Sequence, residues 1–360
     1  MERRSPLHSV YEAAGARFAT HEGCLVPELF TSLSRECAAV RQTAGVVDWS
    51  ARGFLTATGA DHADFLHRML SNEVKQLESG QGNYSTLLTA QGHLVADLNL
   101  WRMEDHVLLE THWTTKDILR ETLERYVIAD DVLLTDQSDA LTALLVEGPA
   151  AAGLLEAAGA QPLPTKEFNH TWVRFSDGTP VHVANLSQAG GRGYELIFVT
   201  EVAHNVWETL VAARRQIAWE PLGIAVLNVL RTEAGIPWHG AELKATTLPP
   251  EAGLEARAIS YTKGCYLGQE IIERIRSRGH VNRKLIGLLL DADAVPAAGT
   301  KLLAAGKEVG EITTAVHSPT LGRVIALGYV RREHLAPKTR LEIASGGAAE
   351  VTTLPFLRFP

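Results

Sequence analysis

Cysteine is scarce in this chain: Cys24, Cys37 and Cys265 are the only three among 360 residues. An odd, widely spaced set excludes a disulfide framework and fits a reducing compartment, here expected to be the cytoplasm. Three thiols cannot complete a four-thiolate iron–sulfur site within one chain. There is no CxxC, no HExxH and no Cys/His cluster at zinc spacing, so no metal site is expected. A P-loop and a GxSxG nucleophile elbow are also missing. Gly190-Gly191-Arg192-Gly193 lacks the GxGxxG spacing and reads as a turn. No apolar run approaches the roughly 20 residues of a membrane span. The basic start Met1-Glu2-Arg3-Arg4 is not followed by a continuous apolar stretch, so no secretory signal is expected. Positive charge is not in excess either. Lys and Arg number 34 against 42 Asp and Glu, a net charge of −8, which argues against general nucleic-acid binding.

The rest of the composition is that of a globular protein, 46% hydrophobic and 21% charged, with material for a sizeable core. At roughly 100–200 residues per domain, two or three domains are expected. Residues 1–45 mix helical periodicity with polar breaks, and 44–50 read as a strand entering a turn. Thr58-Gly59-Ala60-Asp61 ends a second strand, with Asp61 as N-cap of a helix through Met69. Residues 84–103 read as two strands joined near Ala90-Gln91-Gly92, and 106–111 as a third. A helix over 111–128 would carry Ile118, Leu119, Leu123 and Val127 on one stripe. Residues 140–236 repeat this strand–helix rhythm without repeating its residues. The mixed order argues for an α+β fold, not a doubly wound parallel sheet. After Gly279 short strands are punctuated by glycine and proline, the texture of a small β-barrel or sandwich, with a boundary near 279–285.

Four positions invite a chemical reading. Asp97 lies in a stretch that alternates towards a sheet interior, where an acid is costly unless paired; it is either a solvent-facing strand residue or an acceptor for a ligand N–H. Glu195 follows Tyr194 and precedes apolar residues. It is either half of a cross-strand salt bridge or a carboxylate that takes two parallel hydrogen bonds from an amidine-like edge such as a pterin presents. Tyr84 is either a hairpin tyrosine or a platform for a flat ring. Cys265 sits at the centre of KGCYLGQE (263–270). A lone cysteine packs as a small hydrophobe, yet Lys263 two residues before it would favour thiolate, and Gly264 and Gly268 permit close backbone approach. Glu270 and Arg274 stand at i, i+4, which reads as a salt bridge on a helix face. Arg274, Arg276 and Arg278 would share a face if the segment is extended. That face is either a charge-protected edge or a dock for a polyanion such as a polyglutamate tail.

Several of these stretches resemble one family. AGVVDWSARGFLTATGADHADFLHRMLSNEV, GQGNYSTLLTAQGHLVADLNLW, GYELIFV and LRTEAGIPWHG are similar to the folate-binding region of the glycine cleavage T-protein (aminomethyltransferase) superfamily. VGEITTAVHSPTLGRVIALGYV is similar to its C-terminal barrel. KGCYLGQE resembles the signature of the YgfZ-type members, which use tetrahydrofolate and support iron–sulfur cluster assembly and repair. The resemblance implies interleaved, ferredoxin-like α+β modules over residues 1–280 round a central folate hole, then a β-barrel over 281–360. It implies tetrahydrofolate, polyglutamylated or not, as ligand, held by Tyr84, Asp97, Glu195, Arg231 and Lys263. Arg231 would either contact folate or serve structure. Asp97 and Cys265 are the implied catalytic residues, with iron–sulfur assembly proteins or cluster enzymes as partners. The implied function is a tetrahydrofolate-binding accessory protein of iron–sulfur metabolism; the alternative is a folate-dependent aminomethyltransferase. One departure stands out: T-proteins commonly carry two adjacent acids in the hairpin strand, and here the pair is Ala96-Asp97.

Overall fold

The computed structural model describes residues 3–292 and 294–357. It is an α+β protein of two main sheets, a small N-terminal sheet and a closed barrel. The expectation of mixed α+β modules followed by a barrel is met.

The N-terminal stretch, ambiguous as sequence, forms a three-stranded sheet in the order Arg3–Arg4, Cys24–Leu29, Arg17–His21, with helices His8–Ala13 and Leu33–Gln42 beside it. The six-stranded sheet runs His170–Arg174, Pro180–Ala184, Gly193–Val199, Leu141–Glu147, Ala44–Asp48, Trp219–Leu222. The five-stranded sheet runs Gly82–Leu88, Leu94–Arg102, Val107–His112, Arg52–Thr58, Leu133–Asp136. Ala44–Asp48 and Arg52–Thr58 are successive strands in different sheets. Trp49, Ser50 and Ala51 therefore bridge the two, and a shared apolar core joins Val47, Trp49 and Phe54 to Trp101, Leu145 and Ile197.

Alternation on Leu94–Arg102 divides the strand between two environments. Ala96, Leu98 and Leu100 enter the core under the helices His62–Met69 and Lys116–Glu124. Asp97, Asn99 and Trp101 face the other way, towards the junction of the sheets. Position 96 thus points away from Asp97, and a second acid there would be buried among aliphatic side chains.

The barrel closes in the order Arg283–Asp291, Arg323–Arg331, Lys307–Ser318, Lys301–Ala304, Arg340–Ile343, Ala348–Thr352. It grips the loop after helix Ile224–Ala234. Thr314 Oγ1 donates to Glu242 Oε1 at 2.6 Å, and Tyr329 Oη donates to the Glu242 carbonyl at 3.0 Å.

Three local expectations change. The helix over 111–128 is shorter, Lys116–Glu124, and Ile118 is 42% exposed while Leu119 and Leu123 carry the buried stripe. Asp61 does stand at the N-cap of His62–Met69, but its carboxylate does not cap the helix; it accepts from the Asp131 N–H at 2.8 Å. The arginine run is not extended. Gln269–Arg278 is a helix, on which Arg274 pairs with Glu270 at 2.6 Å and Arg276 with Glu273 at 3.6 Å. The i, i+4 reading of Glu270 and Arg274 is therefore right.

Candidate functional site

Asp97 is 5% exposed at the junction of the two sheets. Its Oδ2 accepts from Tyr84 Oη at 2.9 Å and lies 3.3 Å from His112 Nε2. The tautomer of His112 follows from its other nitrogen. Arg52 Nη1 is 3.1 Å from His112 Nδ1, and a guanidinium can only donate. Nδ1 is therefore the acceptor, and Nε2 carries the hydrogen given to Asp97. Behind this pair, Arg52 Nε donates to Glu110 Oε1 at 2.6 Å, and Glu110 Oε2 accepts from Asn99 Nδ2 at 3.1 Å and Trp101 Nε1 at 3.2 Å. Every polar atom of Glu110 and the facing atoms of Arg52 have partners, as a buried ion pair requires.

Burial alone would raise the Asp97 carboxyl, but His112, His239 and Arg52 outweigh it and hold the group well below the usual carboxylate range. Burial and the Asp97 charge push the Tyr84 phenol up, so it stays a donor. Asp97 is thus a buried anion with one oxygen doubly satisfied. Its other oxygen, Oδ1, has no hydrogen-bond partner.

Oδ1 belongs to a narrow cleft lined also by Trp49, Gln188, Trp238, Leu254 and Arg257. The rings of Trp49 and Trp238 stand 6.0 Å apart at 44°. The Arg257 guanidinium lies 5.0 Å from the centre of the Tyr84 ring. Trp49 Nε1, Trp238 Nε1 and Arg257 Nε are, like Oδ1, buried polar atoms without partners. Such atoms are costly in a folded protein. Three donors and an anionic acceptor between aromatic walls suit a flat, heteroatom-rich ligand. The cleft closes on about 30 Å³, room for about one water. Larger openings lie nearby, of about 420 Å³ and 760 Å³, but neither carries a buried unpaired carboxylate in its wall.

The remaining residues singled out in the sequence fall in three places. Glu195 is fully buried opposite Leu145 and Ala184, so it is no exposed cross-strand pair. Its carboxyl shares a hydrogen bond with Glu110, and its oxygens have no other partner. Burial and the Glu110 carboxylate push its pKa up, against the pull of Arg52. It stands behind the cleft, coupled to it through Arg52. Arg231 uses its guanidinium on Asn228 Oδ1 at 2.9 Å, Glu242 Oε2 at 2.6 Å, the Ile236 carbonyl at 3.1 Å and Thr314 Oγ1 at 2.8 Å. It lies 4.6 Å from the Trp238 ring centre. Of its two sequence readings the structural one fits: it ties the cleft wall to the barrel.

Lys263 and Cys265 are elsewhere. Lys263 Nζ donates to the carbonyls of His67, Leu70 at 2.6 Å and Asn72 at 2.9 Å. Burial pushes its pKa down to about 8, yet three acceptors match the three ammonium hydrogens. Its charge is engaged with backbone and is not offered to the neighbouring thiol or to the cleft. Cys265 is exposed, unlike the buried Cys24 and Cys37, and is not among the residues lining the Asp97 cleft. Gly268 has φ +84°, and a Cβ there would meet the Thr89 carbonyl oxygen at 2.5 Å. That glycine seats the segment on the hairpin turn beside the cleft. Gly264 has open space around it.

Sequence reasoning missed Arg52, Glu110, His112, Trp238 and Arg257. Glu110 and His112 close an otherwise apolar strand, the same signal that singled out Asp97. Arg52 and Arg257 carry no local signal.

Two family profiles cover most of the chain. The one described as GCVT N-terminal domain matches residues 7–263, and the glycine cleavage T-protein C-terminal barrel domain matches 283–357. An aminomethyltransferase of Streptomyces coelicolor is 31% identical over 366 residues, covering 99% of this chain and 98% of that protein. One from Halalkalibacterium halodurans is 30% identical, covering 92% of this chain and 91% of its own. Among solved structures, the glycine cleavage system aminomethyltransferase T from Bartonella henselae superposes with a TM-score of 0.91, at 24% identity, over 100% of this chain and 99% of that one. Residues 264–282, with Cys265, lie between the two matched stretches.

Proposed function

The chain belongs to the glycine cleavage T-protein family, and we propose that it binds tetrahydrofolate at Asp97 and serves a folate-dependent aminomethyl transfer there. The observation that carries this reading is Asp97 Oδ1, a buried, ionised and unpartnered acceptor among unpaired N–H donors. Bound tetrahydrofolate would supply the nucleophilic nitrogen that accepts a one-carbon unit. The protein's part is to hold that nitrogen's N–H on Oδ1, to keep Asp97 ionised through His112 and Arg52, and to stack the ring against Tyr84 and the tryptophans. Positioning of this kind accounts for a large share of a transfer rate. A ring enters the closed cleft only when the long side chains of its wall, Gln188 and Arg257, swing aside. Calorimetry tests this: tetrahydrofolate should bind the wild type, and Asp97→Asn should bind at least about tenfold more weakly, the loss expected for a charge-assisted hydrogen bond. A wild type that does not bind tetrahydrofolate ends this reading.

Polyglutamylated folate is the finer form of the proposal. A groove lined by Arg276, His280, Lys284 and Arg332 adjoins the cleft across the short helix Glu255–Ala258, whose Arg257 lines the cleft while Glu255 lines the groove. Lys284→Ala with Arg332→Ala should weaken polyglutamate forms more than the monoglutamate.

The second reading is a YgfZ-type role in iron–sulfur cluster maintenance, in the cytoplasm, with cluster proteins as partners. The exposure of Cys265 within KGCYLGQE favours it. The relatives above, all aminomethyltransferases, favour the first. Cys265→Ala separates the two: transfer with glycine-cleavage partners should be unchanged, while restoration of cluster-enzyme activity in a deficient strain should fail if the second reading holds.

A further inference from the structure

Asp97 lines the narrow cleft, and His239 beside it lines a second opening. His239 lines the 760 Å³ groove with Leu88, Thr115, Ile118, Lys244 and Leu267. Its ring stacks on that of His112, with centroids 5.0 Å apart at 28°. Its Nδ1 lies 3.8 Å from Asp97 Oδ1. Both atoms are buried and neither has a hydrogen-bond partner. At 3.8 Å they do not bond each other, but one ligand atom can sit about 2.8–3.0 Å from both. The loop that carries His239 is fixed. Arg231 holds the Glu242 carboxylate, which accepts from the Trp238 N–H at 3.0 Å, and the Gly240 N–H donates to the Leu243 carbonyl at 2.9 Å.

We propose that His239 is the general base of this site, removing at Nδ1 a proton from a ligand nitrogen whose N–H Asp97 Oδ1 holds. The inference rests on the folate reading given above. In the step the ligand N–H bond breaks and an H–Nδ1 bond forms. The proton leaves as the nitrogen's lone pair bonds to the one-carbon unit and makes that nitrogen cationic. The N–H electron pair stays on the nitrogen and restores its neutrality. The carbon's bond to the departing ammonium group breaks with its pair leaving on that group as a neutral amine, and the imidazolium faces the Asp97 carboxylate. The ring also lines the open groove, through which the proton exchanges with solvent.

Asp97 is the weaker base of the two. A carboxylate held below its usual range is a weak base, suited to orienting an N–H and to stabilising a cation beside it. His239 has the complementary character. Burial lowers its pKa most, and the facing His112 and Arg52 lower it further, while Asp97 and Glu22 oppose them. The net direction is down, so the ring is neutral at pH 7 and able to accept.

The test uses the full chain with isotopically labelled histidine and tetrahydrofolate as probe. His239 is assigned by the signal lost in His239→Gln. A ligand N–H donated to Nδ1 favours the neutral ring, so the NMR titration of His239 should move down by on the order of one pH unit, tenfold in proton affinity, when tetrahydrofolate is added. In Asp97→Asn the movement should shrink. His239→Gln should bind tetrahydrofolate within about threefold of the wild type yet transfer about 10²–10⁴-fold more slowly, with added imidazole restoring part of the rate to His239→Ala. A titration unmoved by bound tetrahydrofolate, or a His239→Gln rate within about threefold of the wild type, overturns the assignment while leaving the folate reading intact. Absence of tetrahydrofolate binding overturns both. The titration is read on the wild type, so it stands whether or not a variant folds.

Discussion

The Asp97 cleft and the KGCYLGQE segment lie beside each other and differ in how their polar groups are satisfied. In the segment the charged groups are engaged. Lys263 has three carbonyl acceptors, Gly268 presses on the hairpin turn, Tyr266 is buried with Leu88 and Leu94, and Glu270 pairs with Arg274. The exceptions are the thiol, the backbone round Gly264 and the buried Tyr266 hydroxyl, which has no hydrogen-bond partner. In the cleft the charges are held rigidly from behind, while the atoms facing inward lack partners. A segment conspicuous as text is here largely architecture, and residues scattered from Trp49 to Arg257 line the cleft where buried donors and an acceptor lack partners. Unmet hydrogen-bonding capacity in a rigid frame is the better mark of a binding site.

That contrast can be broken experimentally. The largest effect is expected from Glu110→Ala, which leaves the Arg52 guanidinium buried without its carboxylate; urea unfolding should show a loss of about 3–5 kcal/mol. A loss below about 1 kcal/mol would mean that the frame behind Asp97 is not rigidly paired. Next comes the cleft wall at Gln188, whose N–H donates to Glu147 at 2.7 Å. Burial pushes the Glu147 pKa up to about 7, against hydrogen bonds from Ser187 and Gln188. The folded state then keeps this proton, which the unfolded chain loses near pH 4.5. Stability should fall as pH rises from about 4.5 to 7 and level off above, by up to about 3 kcal/mol. Glu147→Gln should flatten that slope, and parallel pH curves for the two proteins would contradict it.

On the segment's side, Lys263→Met leaves one buried and two half-buried carbonyls without the ammonium and should cost about 2–3 kcal/mol in thermal unfolding. Tetrahydrofolate affinity should stay within about twofold, a difference of ~0.4 kcal/mol; a tenfold loss would move Lys263 from architecture to binding. The smallest effect belongs to Cys265→Ser. An exposed thiol outside the cleft should contribute less than about 0.5 kcal/mol to stability and nothing measurable to tetrahydrofolate binding by calorimetry. A clear loss of affinity would join the two regions into one site.

Much of the fold is legible in the sequence because its signals are local. The hairpin at Ala90-Gln91-Gly92, the strand that follows it and the glycine-punctuated barrel announce themselves through period-two alternation and turn residues. Ile118 shows the limit. A helical stripe fixes one face, not how far the neighbouring sheet extends over it. The arginine run shows another: Gln269–Arg278 reads as strand or helix until Gly268 sets its N-terminus against the hairpin. Within the site, Tyr84 and Asp97 are legible because paired hairpin strands bring Tyr84 opposite Asn99 and Thr86 opposite Asp97. Ala96 stands where T-proteins commonly carry a second acid. In the folded strand it is a core position, since adjacent side chains point to opposite faces.

The sequence by itself determined the family, the α+β class with its barrel, and one buried strand acid to look at. Tertiary structure decided what that acid is. Arg52, the pair Glu110 and His112, and His239 come from three separate stretches, and no periodicity relates the three. Their meeting at Asp97 depends on the crossing of the chain from one sheet to the other at Trp49-Ser50-Ala51 and on the barrel's hold on the loop bearing Trp238 and His239. Burial then sets the electrostatics, because the same carboxylate, histidines and arginine would be screened and weakly coupled in water.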